Sequence, residues 1–198
     1  NTPTLDGTGA TAQPGSLIVV DKNGNQVGTI TSPLINGPWD MAVQDGDSKA
    51  TLFVSNVLDG TISRLELKVT STGVSLSKIT QIASGYTHRT DPSALVLGPT
   101  GLAFDARNHK LYVASTADNE VFVINNADSR KKDSGTGKVV YHDDAHLHGP
   151  LGLVLAPNGN LIVANSDAVN ADPNHPSEIV EFTTNGKFVD QFSIDPSV

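Results

Sequence analysis

Histidine is scarce in this chain, yet three of its six copies fall in one short stretch, at His142, His146 and His148. A fourth, His88, stands in the turn-rich stretch Gly85-Tyr86-Thr87-His88-Arg89-Thr90-Asp91. Neutral imidazole is a common ligand for zinc and also titrates near neutrality. A second stretch is rich in oxygen donors: Asn165, Asp167, Asn170, Asp172 and Asn174, with Asn56 in a matching place earlier in the chain. Calcium takes six to eight oxygens, and mixtures of carboxylate and amide suit it. The two stretches make His88, His142, His146, His148 and Asp167 the candidate metal ligands, with zinc or calcium as the candidate cofactor. The same residue types also fill solvated turns that do no chemistry.

Composition removes several other chemistries. The chain has 198 residues, 21 acidic and 13 basic side chains and a formal net charge of −8. That balance argues against nucleic acid and anionic membranes, both of which need a dense lysine and arginine face. Cysteine is absent, so thiol catalysis, a zinc ribbon and a disulfide scaffold are excluded. No apolar run approaches the roughly 20 residues of a membrane-spanning helix. Gly135-Thr136-Gly137-Lys138 lacks the upstream glycine and the following Ser/Thr of a phosphate loop, and no Gly-x-Ser-x-Gly elbow exists.

Apolar residues come in short β-branched runs bounded by turn formers. Leu17–Val20, Leu52-Phe53-Val54, Leu111-Tyr112-Val113 and Leu161-Ile162-Val163 are examples. Such runs read as strands buried on both faces. Asp outnumbers Glu by 17 to 4, a bias expected where acids sit in turns rather than on helices. Asn23-Gly24, Asn158-Gly159 and Asn185-Gly186 predict hairpins with both central residues at positive φ. The fold class is all-β.

An internal repeat then sets the architecture. Gly37-Pro38-Trp39-Asp40 leads to Leu52–Asn56, Gly98-Pro99-Thr100-Gly101 to Leu111–Ser115, and Gly149-Pro150-Leu151-Gly152 to Leu161–Asn165. Each unit continues into a third strand, at Thr61–Leu67, Glu120–Ile124 and Glu178–Thr183. A fourth follows near Val74–Ile82, Lys138–Tyr141 and Phe188–Ile194. The Gly-Pro starts are 61 and 51 residues apart, which is a blade period with the excess in loops. Four antiparallel strands per unit predict a β-propeller.

Gly98-Pro99-Thr100-Gly101-Leu102-Ala103-Phe104-Asp105 with Leu111-Tyr112-Val113-Ala114 and Asp118-Asn119-Glu120-Val121 resembles an NHL repeat. So does Gly149–Gly152 with Asn158–Ala164 and Asn185–Phe188. The unit opened by Gly37 is a looser match, because Trp39-Asp40 replaces the usual residue-Gly pair. The resemblance covers most of residues 15–194 and implies a propeller of the six-bladed type. That group includes sensors, scaffolds, lyases and lactone hydrolases, so fold does not imply activity. It implies two metal precedents: peptide-amidating lyases, with zinc held by histidines from different blades, and lactonases, with Asn, Asp and Glu around a channel metal.

Residues 1–198 read as one partial propeller domain. Residues 1–14 are irregular, 15–36 a half blade, and 37–97, 98–148 and 149–198 blades, about three and a half in all. A closed ring usually needs at least four blades. The expected partner is therefore the remaining blades of a longer parent chain, or a second copy covering the open ends. The missing initiator methionine and the acidic, cysteine-free composition favour an exported bacterial protein, secreted or periplasmic.

Propeller topology places the fourth-to-first and second-to-third strand loops on one face, around the channel mouth. Five of the six histidines fall there and only His109 on the other face. Candidate ligand-binding residues are Trp39, Asn56, His88, Arg89, Asp118, His148 and Asn165, although Trp39 reads first as inter-blade core and second as a stacking surface at the channel mouth. The expected function is a binding or scaffold propeller whose mouth face recognises a small molecule, peptide or protein. The alternative is a metal-dependent lyase or lactone hydrolase using the His or Asn/Asp cluster.

Overall fold

The computed structural model describes residues 2–71, 73–174 and 178–194. Strands β1 (Leu17–Val20) and β2 (Gln26–Ile30) form a ribbon. A four-stranded antiparallel sheet follows from β3 (Pro38–Asp45), β4 (Lys49–Asn56), β5 (Thr61–Thr70) and β6 (Gly73–Ser84). A short ribbon of β7 (Arg89–Asp91) and β8 (Leu95–Leu97) comes next. The second four-stranded sheet holds β9 (Pro99–Asp105), β10 (Lys110–Ser115), β11 (Glu120–Asn125) and β12 (Lys138–Tyr141). The third holds β13 (Pro150–Leu155), β14 (Asn160–Asn165), β15 (Glu178–Thr183) and β16 (Phe188–Ser193). Each sheet is an up-and-down meander in chain order. No α-helix occurs among the described residues, and none is long and apolar enough to cross a membrane. The chain is an all-β partial propeller.

Local sequence explains the turns, with one difference from expectation. At Gly24, Gly159 and Gly186 only the glycine is left-handed, at φ 84°, 87° and 83°. The preceding asparagines are not. Ala156 N–H donates to Asn160 O and Gly159 N–H to Ala156 O, each at 2.9 Å, closing a three-residue loop on a type I turn with a left-handed last residue. Pro157, at the second turn position, has its φ set for this geometry and against a two-residue mirror-image turn. The β7–β8 ribbon was not anticipated. It forms because the Asp91 carboxylate accepts the Ser93 and Ala94 N–H groups, both at 2.9 Å. Residues 2–14 are also more organised than irregular: Thr4 bridges to Ala12, and Asp6 accepts hydrogen bonds from Thr8 and Thr11.

Packing between sheets makes three apolar layers. Leu17 and Ile30 pack on Val54 and Leu65. Phe53, Ile62 and Ile82 pack on Leu111, Phe122 and Ile124. Tyr112, Val121 and Tyr141 pack on Leu161, Val180 and Phe182, with the Tyr141 and Phe182 rings stacked at 4.2 Å. Met41 and Val43 pair across to Val54 and Leu52, so they share the face that the β1–β2 ribbon covers farther out. The ribbon does not reach them, and both are exposed, as is Trp39. Val154 and Phe192 are exposed at the other end of the arc. Trp39 is thus uncovered in this arc of blades.

The inner strands interlock through polar groups. Ser55 Oγ donates to Thr100 O at 2.7 Å, and Thr116 Oγ1 to Pro150 O at 2.7 Å. The looser first repeat now has a reason. Asp40 stands where the other repeats have Gly101 and Gly152, and its Oδ2 accepts the buried Leu102 N–H at 2.8 Å. A side chain here replaces close backbone approach with a hydrogen bond to the next sheet. Asp40→Ala is expected to cost about 1–3 kcal/mol by stranding that donor. Urea unfolding checks it, and Asp40→Asn, which keeps an acceptor, should lose less.

Candidate functional site

Each Gly-Pro start is tied to the end of its sheet's second strand. Val57, Thr116 and Ser166 N–H groups donate to Gly37, Gly98 and Gly149 O at 2.9, 2.9 and 3.0 Å. Amide side chains then brace the loops running into Gly37 and Gly149. Asn56 Oδ1 accepts Asn36 N–H at 3.0 Å while its Nδ2 donates to Leu34 O at 3.2 Å. Asn165 Oδ1 accepts His148 N–H at 3.1 Å and its Nδ2 donates to His146 O at 2.8 Å. Asn119, left-handed at φ 56°, braces the same loop from the neighbouring sheet. Its Oδ1 accepts Gly149 N–H and its Nδ2 donates to Leu147 O, both at 2.9 Å. Asn56 and Asn165 are therefore structural brackets of the mouth loops, and both are buried.

The bracket at Asn165 fixes His148, between β12 and β13, with the ring buried. His148 Nδ1 lies against Asn170 O, and that carbonyl can only accept, so Nδ1 carries the proton. Asn170 Nδ2 lies 3.4 Å from the same nitrogen, but its two hydrogens go to Leu147 O and Asp144 O at 2.9 and 2.8 Å. Nε2 is therefore the acceptor nitrogen, and the atom is buried without a hydrogen-bond partner among the described residues. Glu178, the first residue of β15, is 1% exposed. Its Oε2 accepts from Asn165 Nδ2 at 3.2 Å, and its Oε1 is buried without a hydrogen-bond partner. Asp172 completes the group: one donor atom each from His148, Asp172 and Glu178 lie within 4.8 Å of one another. His148, Asp172 and Glu178 thus form a small polar recess in which two of the three residues are buried.

The remaining sequence candidates are dispersed over the same face. His88 is exposed with Nδ1 3.1 Å from Tyr86 O, and Arg89 is exposed on β7. Asp118 Oδ2 accepts from Ser115 Oγ at 2.6 Å and Thr87 N–H at 3.1 Å, joining the two loops. His142 Nδ1 lies 3.2 Å from Glu120 Oε1. Burial, with Asp118 and Asp144 nearby, raises the Glu120 pKa despite that histidine. His146 Nδ1 lies 2.7 Å from Asp143 Oδ2, and its ring stacks on Phe188 at 4.0 Å. Partial burial pushes the Asp143 pKa up, but hydrogen bonds from His146 and Tyr141 outweigh it and lower it below the usual carboxylate range. Asp167 donates its N–H to His148 O at 2.8 Å from a left-handed turn. His175 lies outside the described residues. Of the expected metal ligands, His148 alone joins the recess.

Glu178 was not anticipated as a ligand, although it lies in a recognised third strand. Its signal was positional: it opens the third strand as Glu120 and Thr61 do, in a chain with only four glutamates. Asp172 was anticipated only as one oxygen among several. Asn119 was hidden behind Asp118.

No known family profile matches the chain, and no curated protein matches it significantly. Solved structures do. Hydrazine synthase from Kuenenia stuttgartiensis aligns with a TM-score of 0.59 at 16% identity, over 90% of this chain and 43% of that one. Apo AztD from Citrobacter koseri aligns at 0.44 and 13%, over 90% and 44%. Regucalcin from Agrobacterium tumefaciens, a calcium-binding protein, aligns at 0.42 and 12%, over 87% and 64%. The chain spans less than half the length of the hydrazine synthase chain it matches. At this identity the likeness concerns architecture alone: these residues form part of a β-propeller.

Proposed function

We propose that the chain is the binding part of an exported NHL-type propeller, secreted or periplasmic, whose mouth face receives a small molecule or peptide. One observation carries this reading: the recess of His148, Asp172 and Glu178 is held preformed by Asn165, with Asn119 bracing the same loop from the neighbouring sheet. A recess ordered before its ligand arrives spares the ligand the entropy of ordering it. The exposed Met41 and Val43 at one end of the arc, and Val154 and Phe192 at the other, support further blades or a second copy as the partner.

A thermal-shift screen of divalent cations, amino acids, short peptides and lactones tests the reading. A ligand at 100 times its Kd adds about 2.7 kcal/mol, or roughly 5–10 °C for a chain of this size. The shift should vanish in a mouth-face double variant, His88→Ala with His148→Ala. It should persist in Arg107→Ala with Lys110→Ala, which line a cleft on the opposite face. The reverse pattern would sink the proposal. The buried, unpaired Nε2 and Oε1 also favour a second reading, a metal-dependent lyase or hydrolase. Turnover of a lactone or of an α-hydroxyglycine peptide, lost on chelation, would select it.

A further inference from the structure

We infer that His148, Asp172 and Glu178 form a binding site for one divalent transition-metal ion of the zinc class. This rests on the mouth face being the binding face and names what that face binds. Three observations converge. First, donor atoms from the three side chains lie within 4.8 Å of one another, although they come from the β12–β13 connection, the β14–β15 loop and the start of β15. Secondly, His148 Nε2 and Glu178 Oε1 are both buried and, among the described residues, both without a hydrogen-bond partner. The imidazole and the carboxylate are thus close without Nε2 and Oε1 bonding each other. Thirdly, the outer atoms are already committed: Nδ1–H to Asn170 O, and Oε2 to Asn165 Nδ2. A metal-bound histidine is normally oriented in this way by a partner on its other nitrogen, and a bound carboxylate by a hydrogen bond on its second oxygen.

The donor set selects the ion. One imidazole nitrogen and two carboxylates suit zinc or manganese, whereas magnesium and calcium prefer oxygen throughout. Three protein ligands leave zinc's fourth position for water or for a ligand on the mouth face. Asp172 is the least buried of the three, and it offers a ligand atom within 4.8 Å of the other two donors. Its Oδ1 meanwhile accepts from Asn174 N–H at 2.8 Å, which shapes the loop around it. His142 and His146, whose Nδ1 atoms lie against Glu120 and Asp143, are not among the residues whose donor atoms come together here.

Titration of the full chain with zinc, followed by calorimetry, should give one ion per chain. Cobalt in its place should give the visible absorption of a nitrogen- and oxygen-ligated tetrahedral or five-coordinate ion. His148→Ala and Glu178→Gln should each weaken zinc by more than about 100-fold, since even outer-shell changes cost 10–100-fold. His142→Ala and His146→Ala should leave it unchanged. Circular dichroism of each variant without metal separates lost binding from lost folding. Glu178→Gln, which preserves shape, keeps the test decisive if His148→Ala fails to fold. A native chain that takes no zinc, takes calcium more tightly than zinc, or binds zinc equally in both variants would overturn the inference. If that chain still shows a mouth-face-dependent shift with another ligand class, the metal inference falls and the binding-face proposal stands.

Discussion

Gly101→Val is expected to destabilise the chain by about 3 kcal/mol or more and to weaken zinc binding with it. The reason is steric and lies in the backbone of the neighbouring sheet. A Cβ at residue 101 would stand 2.6 Å from Leu153 N, 2.7 Å from Leu151 O and 2.9 Å from Gly152 C. None of these atoms can rotate away, because β13 is hydrogen-bonded to β14 along most of its length. β13 must therefore move outward, and His148 and Gly149 lead directly into it. The bond from Thr116 Oγ1 to Pro150 O would lengthen with the shift. Urea unfolding and zinc calorimetry on one sample measure both effects. Gly24→Ala is the matched control. It meets nothing within 4 Å and bears only the strain of φ 84°, about 1 kcal/mol. Equal losses in the two variants would show that the close approach of β9 and β13 does not hold the arc together.

Phe53→Ala should cost about 3–5 kcal/mol, a fall of roughly 10–15 °C in melting temperature. Phe53 is fully buried, and its ring centroid lies 4.8 Å from that of Phe104 in the next sheet. Truncation empties the middle of the layer joining β3–β6 to β9–β12, where β-sheet backbone on both sides cannot collapse into the space. Val43→Ala on the same sheet removes an exposed side chain and should stay within about 0.5 kcal/mol. If Val43→Ala costs as much as Phe53→Ala, the end of the arc is covered in solution. That result would itself point to a second copy on this face.

Legibility differed sharply between strands and site. The third and fourth strands of each repeat were readable because a strand is a local event: alternation, β-branching and turn residues act within a few positions. Lys138–Tyr141 matches β12 for that reason, although a long loop precedes it. The left-handed glycines of the hairpins were equally local. Their loop length was not, because the strand register closes the same three-residue loop at Asp21–Asn25, Ala156–Asn160 and Thr183–Lys187, with a proline in only one of them. The β7–β8 ribbon was missed because three-residue strands carry no periodicity, and only the Asp91 bonds reveal it.

The amino-acid sequence by itself determined that this chain is an all-β partial propeller and which face gathers its histidines and amides. Both follow from period, turn chemistry and strand order. Only the tertiary structure decided which of those side chains meet. Asn56 and Asn165 had the look of ligand residues and are brackets, because loop carbonyls and N–H groups reach them first. His142 and His146 had the same residue type as His148, but the fold sets them against Glu120 and Asp143, outside the group that His148 forms with Asp172 and Glu178. Glu178 became the second buried donor because the opening of β15 places it against Asn165, behind a loop whose length hides the relation. Residue type sets what a side chain can donate or accept; three-dimensional packing sets what is left for it to bind.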